Sequence, residues 1–489
     1  MIDWTAFDRR LAARRRAIVE GLIELVRLNS VSQNPKGVRA TGEWLAAAMR
    51  ARGLDGRVLE TGGNPVVFGE RRVPGATRTV LLYCHYDTKP IPPQGWLQPD
   101  PLEPVFRRGL AEEEAGRPLG DFGDGDLATL SLYARGSADD KGPLWCHLHA
   151  LELMDALGIS SAVNVKLICD GEEEIDSPSL GPFVEAHRDL LAADLVIITD
   201  GPQHARGRPT VSGGARGMLK VELEIEAARR DVHSGNFAVP NPAWKLNGLL
   251  ASMATPDGVP LIEAFEEDVV GPTAAEQRLM AELPLDLPAL ERDLGVRLPA
   301  DYLDRLMFHP TLTIRGLHSG FVGAEANTII PHKATVALDI RMVKNQRWSK
   351  VYRRLLDHFR AHGFTVLESA DEPLPDDRRG ATVRVLEKAG YDAGKTSLDL
   401  PASREIIASV ERAHGGQRAV LVPTQGGTVP MWVFTDLLKT PTLLVPYANQ
   451  NNRQHGPNEH MRLDHLFQGI RTTTQLLTDL GARAGEVTR

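Results

Sequence analysis

Cysteine is scarce in this chain: Cys84, Cys146 and Cys169 are the only three among 489 residues, and each lies in an apolar stretch. Their wide spacing excludes a disulfide framework or a cysteine-ligated zinc site and fits reduced core residues of a cytoplasmic protein. Cys84 directly precedes His85, but strand alternation turns it to the opposite face. Long hydrophobic runs are missing too, and nothing approaches the ~18 apolar residues of a membrane span. The first 20 residues carry Arg9, Arg10 and Arg14 to Arg16 in an amphipathic pattern, without the apolar centre of a secretory signal. Positive charge is not in excess either. A formal net charge of −8 argues against a general nucleic-acid or anionic-membrane binder. Internal repeats and low-complexity tracts are absent from the sequence.

At 489 residues the chain exceeds what one hydrophobic core organises, so at least two domains are expected. Helical periodicity covers residues 12–28, 42–52 and 142–157, and short apolar runs occupy 79–84, 163–169 and 195–199. Continuous apolar strands alternating with helices predict a buried, mostly parallel sheet. The pattern returns near the end, with a helix at 403–414 and a strand at 442–445. Between them the period changes. Residues 218–226 and 334–343 alternate strictly, a helix spans 349–362 and a further strand lies near 364–368. Strict period two means one wet face, as in an antiparallel sheet. The expected fold is therefore α/β, with a larger unit of residues 1–211 and 390–489 and an α+β unit inserted at 212–389. Residues 274–307 read as a helical excursion, and 107–126, rich in glycine and acid, as a surface loop.

Along this framework runs an ordered set of acidic and histidine sites: His85-Tyr86-Asp87, Asp139-Asp140-Lys141-Gly142, Glu173-Glu174, Asp200, and His455 in His455-Gly456-Pro457-Asn458-Glu459. Open α/β sheets gather ligands beyond the carboxyl ends of their strands. His85, the glutamate pair and Asp200 each follow an apolar strand-like run. Two histidines and three carboxylates suit a pair of divalent ions, with one further carboxylate left free to carry a proton. Residues two apart on an extended backbone share a face, so Asp87 can hold the second N–H of the His85 imidazole. The acids at 139–140 can cap the helix that opens there, or can place one oxygen on each of two metals. Glu173-Glu174 can be a solvated face or can divide labour between ligand and base. With Glu172 beside them, the register stays open. His147 and His149 fall mid-helix on different faces and read as packing residues.

Taken together, these motifs resemble the dinuclear-zinc aminopeptidase-like exopeptidases. That family includes carnosine-type dipeptidases, glutamate carboxypeptidases, aminoacylases, acetylornithine deacetylases and succinyl-diaminopimelate desuccinylases. The likeness runs from His85 to Glu459. It implies that His85 binds one ion, Asp139 bridges both, Glu174 is a terminal ligand, and Asp200 and His455 complete the set, with Asp87 orienting His85. The family pattern Glu-Glu-x-Gly-Ser falls on Glu173-Glu174-Ile175-Asp176-Ser177, which implies Glu173 as general base; Asp176 stands where glycine is usual. Dipeptidase-like members carry aspartate at the Asp200 position, whereas many deacylase relatives carry glutamate. Asp231-Val232-His233-Ser234-Gly235 is similar to the dipeptidase motif whose histidine enters the partner subunit's site, implying a homodimer and a ferredoxin-like dimerisation (lid) role for the inserted unit.

Asn327-Thr328-Ile329-Ile330-Pro331 and Arg341 match segments that contact substrate. Gly426-Gly427-Thr428-Val429-Pro430 resembles the Gly-Gly-Ser loop near the substrate carboxylate, with Thr428 in the serine position and Thr424-Gln425 replacing the usual Arg-Glu. Arg341 shares a strand face with Thr335 and Asp339, opposite Val336, Leu338 and Ile340, so it is expected to point outward toward a substrate carboxylate. The implied reaction is hydrolysis of dipeptides or similar small amides by a water activated between two divalent ions, with Glu173 carrying its proton to the leaving amine. Zinc is the first choice, and manganese or cobalt also suits oxygen and imidazole donors. The nearest rival is an N-acyl amino acid amidohydrolase with the same metals. A non-catalytic, metal-stabilised binding protein is the remote alternative, and an intact Glu173 argues against it.

Overall fold

The computed structural model describes residues 2–109, 115–205, 207–236, 238–375 and 380–481. Eight strands form the larger sheet in the order Arg57–Leu59, Val66–Arg71, Asn164–Asp170, Thr79–His85, Leu195–Ile198, Thr442–Leu444, Thr210–Ser212, Val420–Val422. From Asn164–Asp170 across to Thr442–Leu444 neighbours run parallel, while the strands at the Arg57–Leu59 edge pair antiparallel. The sheet is mostly parallel and its central strands are apolar on both faces, because helices cover both. One face packs against the helices Trp4–Arg27, Lys141–Ala156 and Leu463–Asp479, the other against Leu180–Ala186 and the turn Val433–Leu437. The first two helices begin earlier than apolar periodicity indicates. Asp3 caps one by accepting from the Ala6 amide at 3.0 Å, and Asn34 followed by Pro35 opens the other.

The smaller sheet has the order Thr311–His318, Lys333–Met342, Gly217–Glu226, Thr382–Tyr391, Thr365–Leu367. Its first four strands are antiparallel and Thr365–Leu367 adds a parallel edge. Apart from the parallel edge strand Thr365–Leu367, the four antiparallel strands and the helices Pro242–Met253 and Trp348–Ala361 follow in the order β-α-β-β-α-β, a ferredoxin-like arrangement. It has a core of its own, built from Leu219, Val221, Leu223, Leu338, Ile340 and Phe359 among others. Its strand Thr382–Tyr391 runs past residue 389. The 274–307 excursion contains the short helices Ala274–Glu282 and Leu287–Leu294 and most of Tyr302–Phe308.

The 107–126 stretch is not a surface loop throughout. Arg107 and Arg108 end the strand Val105–Arg108, which pairs with Leu130–Tyr133, and the buried Arg107 guanidinium lies 4.3 Å from the Tyr133 ring centre. Leu119 and Phe122 are buried in the main core. The surrounding glycines and acids dominate the composition and conceal these anchors. Residues 110–114 of this stretch lie outside the described residues. Among the described residues, no helix is long and apolar enough to cross a membrane.

Candidate metal centre

Three adjacent parallel strands deliver the first donors to one rim. His85 is the last residue of Thr79–His85, the glutamates follow Asn164–Asp170, and Asp200 lies just past Leu195–Ile198. Asp139 arrives from the turn before Lys141–Ala156, and His455 from a loop in which its backbone adopts a left-handed φ of 65°. His85, Glu173 and Asp200 offer donor atoms that all lie within 4.8 Å of one another, and so do Asp139, Glu174 and His455. Asp139 touches both groups. Its Oδ1 is 2.9 Å from His85 Nε2 and its Oδ2 is 3.0 Å from His455 Nε2. Glu174 Oε2 lies 3.2 Å from the same His455 nitrogen. His455 is half-exposed, so the cluster opens to solvent on that side.

Hydrogen bonds fix these positions. His85 Nδ1 donates to the backbone carbonyl of Asp87 at 3.1 Å, which leaves Nε2 as the ligand atom. The Asp87 carboxylate is itself 3.3 Å from Nδ1, beside the same ring nitrogen. It accepts the amides of Glu173 and Glu174, each at 3.1 Å, and the Ser32 hydroxyl at 2.8 Å. Glu172 is turned away: its carboxylate accepts from the Asn64 amide at 2.8 Å and the Ser179 amide at 3.1 Å. Asp140 makes no capping bond to the helix it precedes and accepts instead from the His85 amide at 3.2 Å. The buried Glu459 accepts from Arg135 at 2.8 Å and from the Gly136, Ala138 and Asp139 amides at 3.0, 3.0 and 3.1 Å. Cys84 stays out of the centre, with its sulfur 3.2 Å from the Thr199 hydroxyl. His147 is likewise structural, bonded to Thr473 and Thr199.

The electrostatics follow from burial and crowding. Burial alone would lower the His85 imidazole, yet its bonds to Asp139 and Asp87 raise it well above its ordinary value. His455 reaches about 10 by the same contest, through Asp139 and Glu174. Burial would raise Asp139, but the two imidazoles hold it below the usual carboxylate range. Burial pushes Asp200 up to about 7 and Glu173 well above its ordinary value, with neighbouring carboxylates adding to both. Asp139 Oδ2 and Glu174 Oε2 are buried and accept no well-formed hydrogen bond. Converging carboxylates and imidazoles with oxygens left over form a donor set that fits divalent cations of the zinc, manganese or cobalt type.

Of the other sequence candidates, Arg341 and Thr428 meet each other, while His233 and Asn327 lie apart. Arg341 does lie on the side of its strand away from the small core, but that side closes on the larger unit. Its guanidinium donates to Asp339 at 2.7 and 3.0 Å and to the Thr428 hydroxyl at 2.8 Å. Tyr391 also bonds Thr428, and burial, with repulsion from Glu173, keeps its hydroxyl well above the ordinary range. His233 sits in the strand pair Val232–His233 and Ile329–Ile330, and both it and Asn327 are exposed and outside the donor cluster. Sequence reasoning missed Ser32, Lys89, Tyr391 and the clamp made by Glu459. Lys89, just after His85-Tyr86-Asp87, and Glu459, at the end of the His455 motif, both carry a local signal.

Comparison with known proteins agrees with this geometry. The model of peptidase family M20/M25/M40 matches residues 81–479. The Cys-Gly metallodipeptidase dug1 of Schizosaccharomyces pombe is 26% identical over 422 residues, 83% of this chain and 81% of that protein. The beta-Ala-His dipeptidase of Rattus norvegicus is 25% identical over 437 residues, covering 87% and 81%. Among solved structures, the M20 family metallo-carboxypeptidase Sso-CP2 from Sulfolobus solfataricus superposes with a TM-score of 0.79 at 27% identity, covering 95% of this chain and 99% of that one. With the family model spanning most of its length and the donor cluster at the strand ends, this chain belongs to peptidase family M20/M25/M40 and is a metallopeptidase.

Proposed function

We propose that the protein is a dipeptidase, hydrolysing dipeptides or similarly small amides that carry a free carboxylate. The observation that carries this reading is the convergence of His85, Asp139, Glu173, Glu174, Asp200 and His455 at one rim of the sheet. The relatives that act on Cys-Gly and beta-Ala-His support the substrate class. His85 and Asp200 would hold one divalent ion and Glu174 and His455 a second, with Asp139 spanning them. Zinc is the ion of choice, and manganese or cobalt suits the same donors. When bound, such a pair supplies Lewis acidity at the scissile carbonyl and makes a nearby water easier to deprotonate. Glu173 takes the proton of the attacking water and passes it to the leaving amine. Asp87 holds the amides of both glutamates and keeps Glu173 aimed. Arg341 and Thr428 receive the substrate carboxylate, while Asp339 keeps the guanidinium in place.

His233 and Asn327 are assigned to the site of a second copy, which makes the working enzyme a homodimer joined through the inserted unit, residues 212–389. The edge strand Thr311–His318 supports this: Ile314 and Leu317 are 50% and 57% exposed, and among the described residues no strand pairs with its outer edge. We also place the protein in the cytoplasm, because its three cysteines are buried thiols.

The test is to strip the protein of metal, restore zinc or manganese, and assay dipeptides and N-acyl amino acids, each with free and amidated C-termini. Metal-restored cleavage confined to free-carboxylate dipeptides is expected. A preference for acylated substrates would make it an amidohydrolase. Trimming of longer peptides from the C-terminus would make it a carboxypeptidase.

A further inference from the structure

We propose that Lys89 is a built-in cation that makes the two metal half-sites unequal, weakening the half formed by Asp139, Glu174 and His455. The proposal rests on the two-ion reading above and concerns only how the ions are held. Residue 89 contacts both oxygens of the Glu174 carboxylate: its backbone N–H donates to Oε1 at 3.1 Å, and its ammonium lies 3.0 Å from Oε2. Oε2 is also the oxygen 3.2 Å from His455 Nε2. The atom best placed for the second ion is thus already shared with an ammonium group. The same ammonium donates to the backbone carbonyl of Glu174. That bond tethers it, so turning Oε2 toward an ion does not send Lys89 into solvent. The Lys89 side chain is 28% exposed and that of Glu174 only 2%, so water screens the charges poorly.

The other half differs. Among the described residues, no lysine or arginine is ion-paired with His85, Glu173 or Asp200. An ion entering beside His85 meets carboxylates and an imidazole, whereas one entering beside Glu174 meets a tethered positive charge. The first equivalent of metal therefore goes to the His85 half, and the second binds more weakly.

The backbone N–H of residue 89 holds Glu174 Oε1 whatever the side chain, so Lys89→Met removes the charge, keeps most of the stem and leaves the ligand in position. The experiment is a zinc titration of the metal-stripped full-length protein against a competing chelator, with bound metal counted by atomic spectrometry after dialysis. Wild type is expected to take up two zinc ions with separate affinities. Lys89→Met should tighten the second by at least about tenfold and leave the first unchanged, the scale of one charged contact. Lys89→Arg should keep the wild-type gap. Two ions bound with a second affinity unaltered in Lys89→Met overturns the proposal alone. So does tightening of equal size in Lys89→Arg, since the charge would then not be the cause. Fewer than two ions at saturation in both wild type and Lys89→Met overturns the two-ion reading and this proposal with it.

Discussion

Glu172, Glu173 and Glu174 are adjacent and chemically identical, yet hydrogen bonds give them three different positions. Glu172 braces the Asn64 and Ser179 amides, while the amides of its two neighbours are pinned by Asp87. Glu174 then faces Asp139 and His455, and Glu173 faces His85 and Asp200. If Glu173 is the base, Glu173→Ala lowers turnover by about 10²–10⁴-fold and leaves metal content nearly intact, as kinetics and metal analysis on one preparation would record. Loss of an ion in that variant would make Glu173 a ligand. Asp176 adopts a left-handed φ of 73°, a conformation aspartate tolerates better than most residues. Its carboxylate is held by Lys220 Nζ at 2.7 Å to both oxygens, which links the glutamate turn to the smaller sheet.

The strands divide by the period of their apolar residues. Thr79–His85, Asn164–Asp170 and Leu195–Ile198 are buried on both faces and end at the donors. The long inner strands of the smaller sheet, Gly217–Glu226 and Lys333–Met342, alternate, and among the described residues no strand pairs with the outer edge of Thr311–His318. An exposed edge carrying Ile314 and Leu317 invites pairing with another strand unless charge prevents it. Replacing both residues by lysine is expected to give a monomer by sedimentation equilibrium. Turnover should fall about 10²-fold, the scale of losing one donor to the transition state, with metal content unchanged. His233→Ala should match that loss without changing the oligomeric state. Full activity in a monomer would refute the cross-subunit role of His233.

Acid sensitivity belongs to the whole molecule. Burial lowers His147 and His149 to about 3 and His414 to about 4, from an ordinary 6.5. Between pH 6.5 and about 4 the unfolded chain binds protons on these groups and the folded chain does not, so stability falls as pH falls. The slope is at most about 1.4 kcal/mol per pH unit for each histidine, and these groups add no slope at pH values well above 6.5. His147→Gln removes its share of this slope, so its change in urea midpoint from pH 7 to pH 5 should be less negative than that of wild type; an identical change in both would contradict it. Much of the architecture is legible in local pattern. Continuous apolar runs mark the parallel strands, strict alternation marks the smaller sheet, and strand ends mark His85 and Asp200, because burial on one face or two acts residue by residue along the chain. The order of the motifs carries the family and, with it, the register of the glutamates by resemblance. What local pattern does not contain is which side chains meet across long separations. Glu459 clamps the Asp139 turn, Asp87 holds the glutamate amides, Lys89 shares Glu174, and the outward face of Arg341 closes on Thr428. Composition and periodicity determine which face of an element is buried; only the packing of distant segments determines which polar groups share that burial, and so how the donors are aimed.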